Sequence, residues 1–353
     1  MLGTLWYHDH RQDYTAANVV RGLIAFYLLF NEFDNGTDRA GPKSLGLPAG
    51  DYDVPIILHG RSFDAAGEQI FDAFNTDGLL GDRYTLNDIV QPYFVVEPRK
   101  YRIRILNGGP SRFYRIALSA NQTFTLITSD GNLLPAPLVL DAVTLAPAER
   151  VDMIVDFSKA PFGSSFYLLN QMQQTNGRGP TGQLMVPGDQ MMRFDVTKPL
   201  AAPDNSRVPA QLLPLPVIDV HTARRCRTFA FDYFNGTWLI NNNTFDEHRS
   251  DARVEQGSAE IWTLRNMGRG WSHPIHIHFE EFRILTRNGE PLAATDPEYG
   301  RKDVVRLGPG DEVTIFIQFR DFIGKYVMHC HNVVHEDHSM MMRWDVVPKG
   351  DGD

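Results

Sequence analysis

Imidazole, thiol and thioether groups crowd the stretch Met328–Met342, MHCHNVVHEDHSMMM. Side chains alternate between the two faces of a β-strand, so residues two apart share a face. His329 and His331 are therefore expected on one side and Cys330 on the other. His335 and Met340 follow far enough along to curl back towards the sulfur. One cysteine, two histidines and a weak axial methionine form the ligand set of a blue-copper electron-transfer site. The second histidine is found in Trp271–His278, WSHPIHIH. There His276 and His278 share a face, and the odd offset of His273 sends it to the opposite one. The spacing thus predicts one copper held by His273, Cys330, His335 and Met340. Behind it a histidine-only cluster would use His276, His278, His329 and His331. Peptide bonds from Cys330 to both neighbouring histidines would give electrons a short path between the two.

A structural role for each histidine, as a satisfied core or surface residue, explains isolated cases but not two short segments of matching parity. Zinc is the stronger rival, because cysteine and histidine both suit it. A structural zinc site closes with four such ligands and has no use for the methionine that ends the run.

The elements that must position these groups read as strands. The chain has 353 residues, 42% of them hydrophobic and 22 of them Phe, ample for two or three domains with sizeable cores. A net charge of −9, with scattered Lys and Arg, argues against nucleic acid or an anionic membrane surface as partner. No apolar run reaches membrane-spanning length, and MLGTLWYHDH has no export-signal pattern. The two cysteines form no disulfide framework. Cys226 reads as a half-buried strand thiol with no assigned role.

Short β-rich runs separated by Gly, Pro, Asn and Ser clusters make residues 51–196 one all-β domain. Residues 197–216 hold five prolines and read as a linker. Residues 217–353 form a second β-domain that contains both ligand stretches. The two domains repeat: Leu140–Phe157 aligns without gaps on Lys302–Phe319, with six identities including Asp141/Asp303, Leu145/Leu307 and Phe157/Phe319. Carried onward, Leu169, Asn170 and Gln171 fall in the places of His329, Cys330 and His331, so the middle domain keeps the framework without the ligands. Near the start, Gly3–His10 can be laid on Gly324–His331, with Asp9 where Cys330 stands. Residues 1–50 then read as the tail of a third such unit, with Val19–Phe33 a strand or a short helix and strand.

LWYHDH at 5–10, HPIHIHFEEF at 273–282 and HCHNVVHEDHSMM at 329–341 resemble three of the four signature motifs of the multicopper oxidases. The last is especially similar to bilirubin oxidases and spore-coat laccases. The resemblance implies tandem cupredoxin-like Greek-key β-sandwiches or barrels. By it, His273, Cys330, His335 and Met340 would hold a type 1 copper, and His276 a type 2 copper. His8, His10, His278, His329 and His331 would hold a type 3 pair. Glu336 matches an acidic residue that supplies protons for O2 reduction in similar enzymes; otherwise it would be an exposed strand-end carboxylate. Asp9 would be a hydrogen-bond acceptor behind the ligands. The implied activity is a laccase-type oxidation of phenols, aromatic amines or linear tetrapyrroles, with O2 as acceptor and a periplasmic or secreted location. A nitrite-reductase-like arrangement fits less well, because three histidine pairs exceed the needs of one type 2 copper.

One motif departs from the pattern. The family's first His-X-His pair has no counterpart here, and His59, His221 and His248 stand isolated. Six cluster histidines stand where the resemblance implies eight. A copper-binding electron-transfer or structural protein therefore stays open as the alternative. The strands of the first segment would also expose unpaired edges, so self-association or a complementing chain is expected.

Overall fold

The computed structural model describes residues 3–39, 41–268 and 270–353. Met1, Leu2 and Ala40 of the first segment and Arg269 of the last lie outside the described residues. Among the described residues the strands form five sheets, an all-β architecture of cupredoxin type. No described helix is long and apolar enough to cross a membrane.

In the middle unit a seven-stranded and a five-stranded sheet enclose one apolar core around Ile103, Ile105, Tyr114, Leu126 and Phe194. The C-terminal unit packs a six-stranded sheet on a five-stranded one around Trp262, Leu264, Ile275, Ile315 and Trp344. The repeat is legible strand by strand. Ala142–Leu145, Tyr114–Leu118, Ser165–Met172, Leu184–Val196 and Tyr93–Val96 lie side by side in one five-stranded sheet. Val304–Leu307, His273–Ile277, Gly324–Cys330, Met341–Val347 and Ala252–Glu255 lie in the same order in the other. In both, the last pair is parallel. A buried asparagine turns the same corner in each unit. Asn107 donates to the carbonyls of Arg112 and Leu145 and accepts from Gly109 N–H. Asn266 donates to those of Trp271 and Leu307 and accepts from Gly268 N–H.

The first segment is a strand, Gly3–His8, a short helix, Thr15–Val20, and an antiparallel return strand, Ile24–Leu29. It is held by the other two units. Thr4 N–H donates to the Gly131 carbonyl, and a Cβ on either Gly3 or Gly131, both at positive φ, would lie 2.5 Å from opposing backbone. The helix N–H groups of Thr15 and Ala16 donate to Asp337. Leu45 and Leu47 sit in the middle core, so that core gathers in residues from before position 51.

The proline-rich stretch read as a linker is anchored along its course: Arg207, Leu212 and Leu213 N–H groups donate to the Gly46, Pro135 and Leu134 carbonyls, and Leu212 is buried in the middle core. Periodicity could not show this, because a strap laid along a surface needs only a few anchors. Cys226 is exposed rather than half-buried.

Candidate metal centre

Three donor atoms meet on one side of the Gly324–Cys330 strand. Cys330 Sγ lies 3.5 Å from His273 Nδ1 and 3.6 Å from His335 Nδ1, and the two nitrogens are 3.2 Å apart. All three residues are fully buried. The point equidistant from the donors lies roughly 2 Å from each, within the span of metal–nitrogen and metal–thiolate bonds, roughly 2.0–2.3 Å. Adjacent strands supply two of the groups, since Ile275 pairs with Cys330 in the ladder. His335 comes from the short helix Val333–Asp337, which makes the turn after the strand and brings the ring back towards the sulfur. Met340 is fully buried beside them; its N–H donates to the His335 carbonyl, and its carbonyl accepts from Cys330 N–H.

On the other side of the strand six imidazoles touch one another. His10 Nε2 and His278 Nε2 stand 3.1 and 3.2 Å from His329 Nε2. His276 lies 4.8 Å from His278 and 5.6 Å from His329, centre to centre. His331 lies 5.1 Å from His8 and 5.4 Å from His329. Both ring nitrogens of buried His331 lack a hydrogen-bond partner, which leaves either one free to face a metal.

Hydrogen bonds at the back of four of the rings assign their tautomers. The Nδ1 atoms of His8, His276 and His329 face the carbonyls of Asp9, Asp303 and Cys330, at 2.8, 2.8 and 3.2 Å. Their Nε2 lone pairs are thereby left for a metal. His335 is reversed, with Nε2 3.0 Å from the Asp77 carbonyl and Nδ1 turned to the thiol. Burial pushes His273 down to about 3 and His8 and His276 to about 4, so these rings are neutral near pH 7 and able to ligate. Burial also raises the Cys330 thiol, so it stays protonated until a metal replaces the proton.

Glu336 is not an exposed strand-end group. It is buried on the Val333–Asp337 helix, with Oε2 3.0 Å from His329 Nδ1 and Oε1 3.4 Å from His10 Nδ1. Burial works to raise its carboxyl, but the rings of His329, His10 and His8 together outweigh that and hold it down to about 2. Asp9 meets His8 through its backbone carbonyl, while its carboxylate accepts from Asn18 Nδ2 and faces away.

Sequence reasoning missed three groups beside the triangle. Trp238 stacks on the His335 ring at 3.9 Å. Asp77, from a middle-unit loop, offers its carbonyl to His335 and its carboxylate to Trp271 Nε1 and Arg178. Asn332 accepts from Ser111 Oγ across the same seam. None lies in a periodic pattern; only the position of Asn332 directly after the HCH run could have drawn notice.

A β-sandwich chain that brings a buried His–Cys–His triangle and a six-imidazole cluster to opposite faces of one strand is a copper-binding cupredoxin. Residues 61–185 and 214–350 each match a family model described as multicopper oxidase. The chain is 36% identical to the bilirubin oxidase of Albifimbria verrucaria, over 96% of this chain and 59% of that protein. It is 33% identical to the laccase of Bacillus subtilis, over 97% of this chain and 70% of that one. Its fold matches a solved multicopper oxidase variant from Aquifex aeolicus with a TM-score of 0.86 at 29% identity, over 98% of this chain and 76% of that one. The chain belongs to the multicopper oxidase family.

Proposed function

We propose that the chain works as a laccase-type oxidase. It would couple one-electron oxidation of phenolic, aromatic-amine or tetrapyrrole donors to the reduction of O2, with four electrons and four protons, to two waters. The observation that carries this reading is the division of ligands by a single strand, with the Cys330 triangle on one face and six imidazoles on the other. Copper, when bound, supplies the one-electron chemistry and the reduction of O2. His273, Cys330, His335 and Met340 would hold the type 1 ion. His276 would hold type 2, and His8, His10, His278, His329 and His331 the type 3 pair.

The chain's own residues do the rest. The peptide bonds of His329-Cys330-His331 join the two ligand sets covalently. The Asp77 carbonyl fixes His335 with Nδ1 facing the thiol. Trp238 and the buried strands keep water from the sulfur. Glu336 is the acidic group nearest the His10 and His329 rings, a carboxylate placed to take up a proton and relay it to reduced oxygen.

One observation favours a second reading. Six cluster imidazoles converge among the described residues, where the family resemblance implies eight. A copper-binding electron-transfer or structural protein would need only the triangle. The remaining two imidazoles of an oxidase would come from a further segment or another chain. Copper content and O2 uptake with a phenolic donor separate the readings. About four copper atoms per chain with uptake is expected of the oxidase, and about one, blue and without uptake, of the electron carrier.

A further inference from the structure

Arg150 belongs to the copper-free middle unit, yet it is buried at the junction of all three units. A guanidinium has five N–H donors, and here five acceptors surround it. Nη1 donates to Asp303 Oδ1 at 2.6 Å and to the Ala148 carbonyl at 3.1 Å. Nη2 donates to Asp303 Oδ2 at 2.8 Å and to the Asp130 carbonyl at 2.8 Å. Nε donates to the Thr4 carbonyl at 3.1 Å. Two of these partners lead straight to the cluster. Thr4 lies on the strand that ends at His8. The Asp303 carbonyl receives the His276 Nδ1–H, and Val304 pairs with His276 in the ladder. Asp130 tightens the same grip, its Oδ2 accepting from the Asp303 and Val304 N–H groups.

We propose that Arg150, acting through Asp303, is a positioning residue for the copper ligand His276. It would fix the tautomer and aim of that ring while tying down the strand that carries His8. The two units diverge at this point. The repeat sets Glu312 against Arg150 and exposed Asp141 against Asp303, so one copy of the framework has become a clamp for the other. The assignment rests on the type 2 role proposed for His276, and its test has an arm that needs no copper.

The full chain, with 15N-labelled histidine and no metal, is compared with Arg150→Lys and Arg150→Met. The His276 signal is identified by its loss in His276→Asn. Lysine keeps the charge but can serve at most three of the five acceptors. In the parent, His276 is expected as the Nδ1–H tautomer. In both variants it should move towards a mixture, while His59, held by the Val19 and Gly60 carbonyls, stays put. After copper loading, type 2 affinity should fall by about 10-fold or more, as for other partners behind a metal-bound histidine, with the blue band retained. An unchanged His276 signal in both variants overturns the proposal. So does loss of the His59 signal and the blue band together with it, which would make Arg150 a general support of the fold. A parent chain without type 2 copper refutes the oxidase reading instead, and the metal-free comparison then decides this proposal alone.

Discussion

The middle and C-terminal sandwiches share strand order, corner asparagines and ladder register, yet one converges on donors and the other does not. Where His273 pairs with Leu307, Tyr114 pairs with Leu145. Where His276 pairs with His329, Ala117 pairs with Leu169. Where Ile275 pairs with Cys330, Ile116 pairs with Asn170. The Asn170 amide is met from all sides. Its oxygen accepts from Arg115 and Met172 N–H, and its nitrogen donates to Tyr84 Oη and the Met172 carbonyl. A framework that closes on hydrogen bonds in one copy thus presents bare donor atoms in the other. At these paired strand positions the difference lies in a few side chains rather than in the backbone.

The largest effect should come from writing the middle unit's residue into the copper unit. Cys330→Asn is expected to abolish the blue absorption and all turnover. It should also destabilise the chain, because the position matching Arg115 is Pro274, which has no N–H to offer the new amide. An unsatisfied buried amide costs about 1–3 kcal/mol. A variant with near-parental denaturation midpoint would show that the two sites are interchangeable.

Glu336 has no counterpart to compare, since the middle strand Ser165–Met172 runs into a loop where the copper unit has the Val333–Asp337 helix. Glu336→Gln keeps the shape and removes the exchangeable charge. Turnover should fall by about 10²-fold or more, as for loss of a general acid, with blue absorption and copper content unchanged. A parental rate would remove Glu336 from the proton path and leave it as the partner of His329.

The corner asparagines separate fold from site. Asn107→Ala deletes three side-chain hydrogen bonds and Asn266→Ala four, and each should cost about 2–3 kcal/mol by denaturant unfolding. Only Asn266→Ala should also disturb the blue spectrum, because Asn266 holds the Trp271 carbonyl two residues before His273. Equal spectra in the two variants would mean that His273 is held by its own strand alone.

What the sequence made readable, and what it hid, follows the same division. Period-two alternation placed Cys330 and its neighbouring histidines on opposite faces, and the Asp141/Asp303 repeat set the register of both units. These are local properties. Glu336 was named through the family resemblance alone; its burial on a helix stayed hidden because five residues are too few to show a period. Asp77, Trp238 and Arg150 escaped because their roles depend on which loops and strands of different units meet, and no spacing along one segment encodes that. The anchors of the proline-rich linker, Gly46, Pro135 and Leu134, stayed hidden for the same reason: they are distant in the chain.

The smallest effect concerns acid, and it asks whether the seam or the cores give way first. Glu298 is buried and accepts from Arg287 and Arg306, the second of which also faces Glu149 of the middle unit. Burial works to raise its carboxyl, but the two guanidinium groups win and hold it down to about 2, below its ordinary 4.5. A group held below its unfolded value contributes stability above that value and loses it as pH falls towards the folded one. The parent should therefore lose this contribution between about pH 4.5 and pH 2. Glu298→Gln, weaker at neutral pH, should lack that part of the slope, so the two unfolding midpoints should draw together over the same range. Midpoints that stay a constant distance apart would show that Glu298 titrates no differently in the folded and unfolded chains. The acid limb would then belong to carboxylates inside the individual units, such as Asp152 between Arg102 and Arg104.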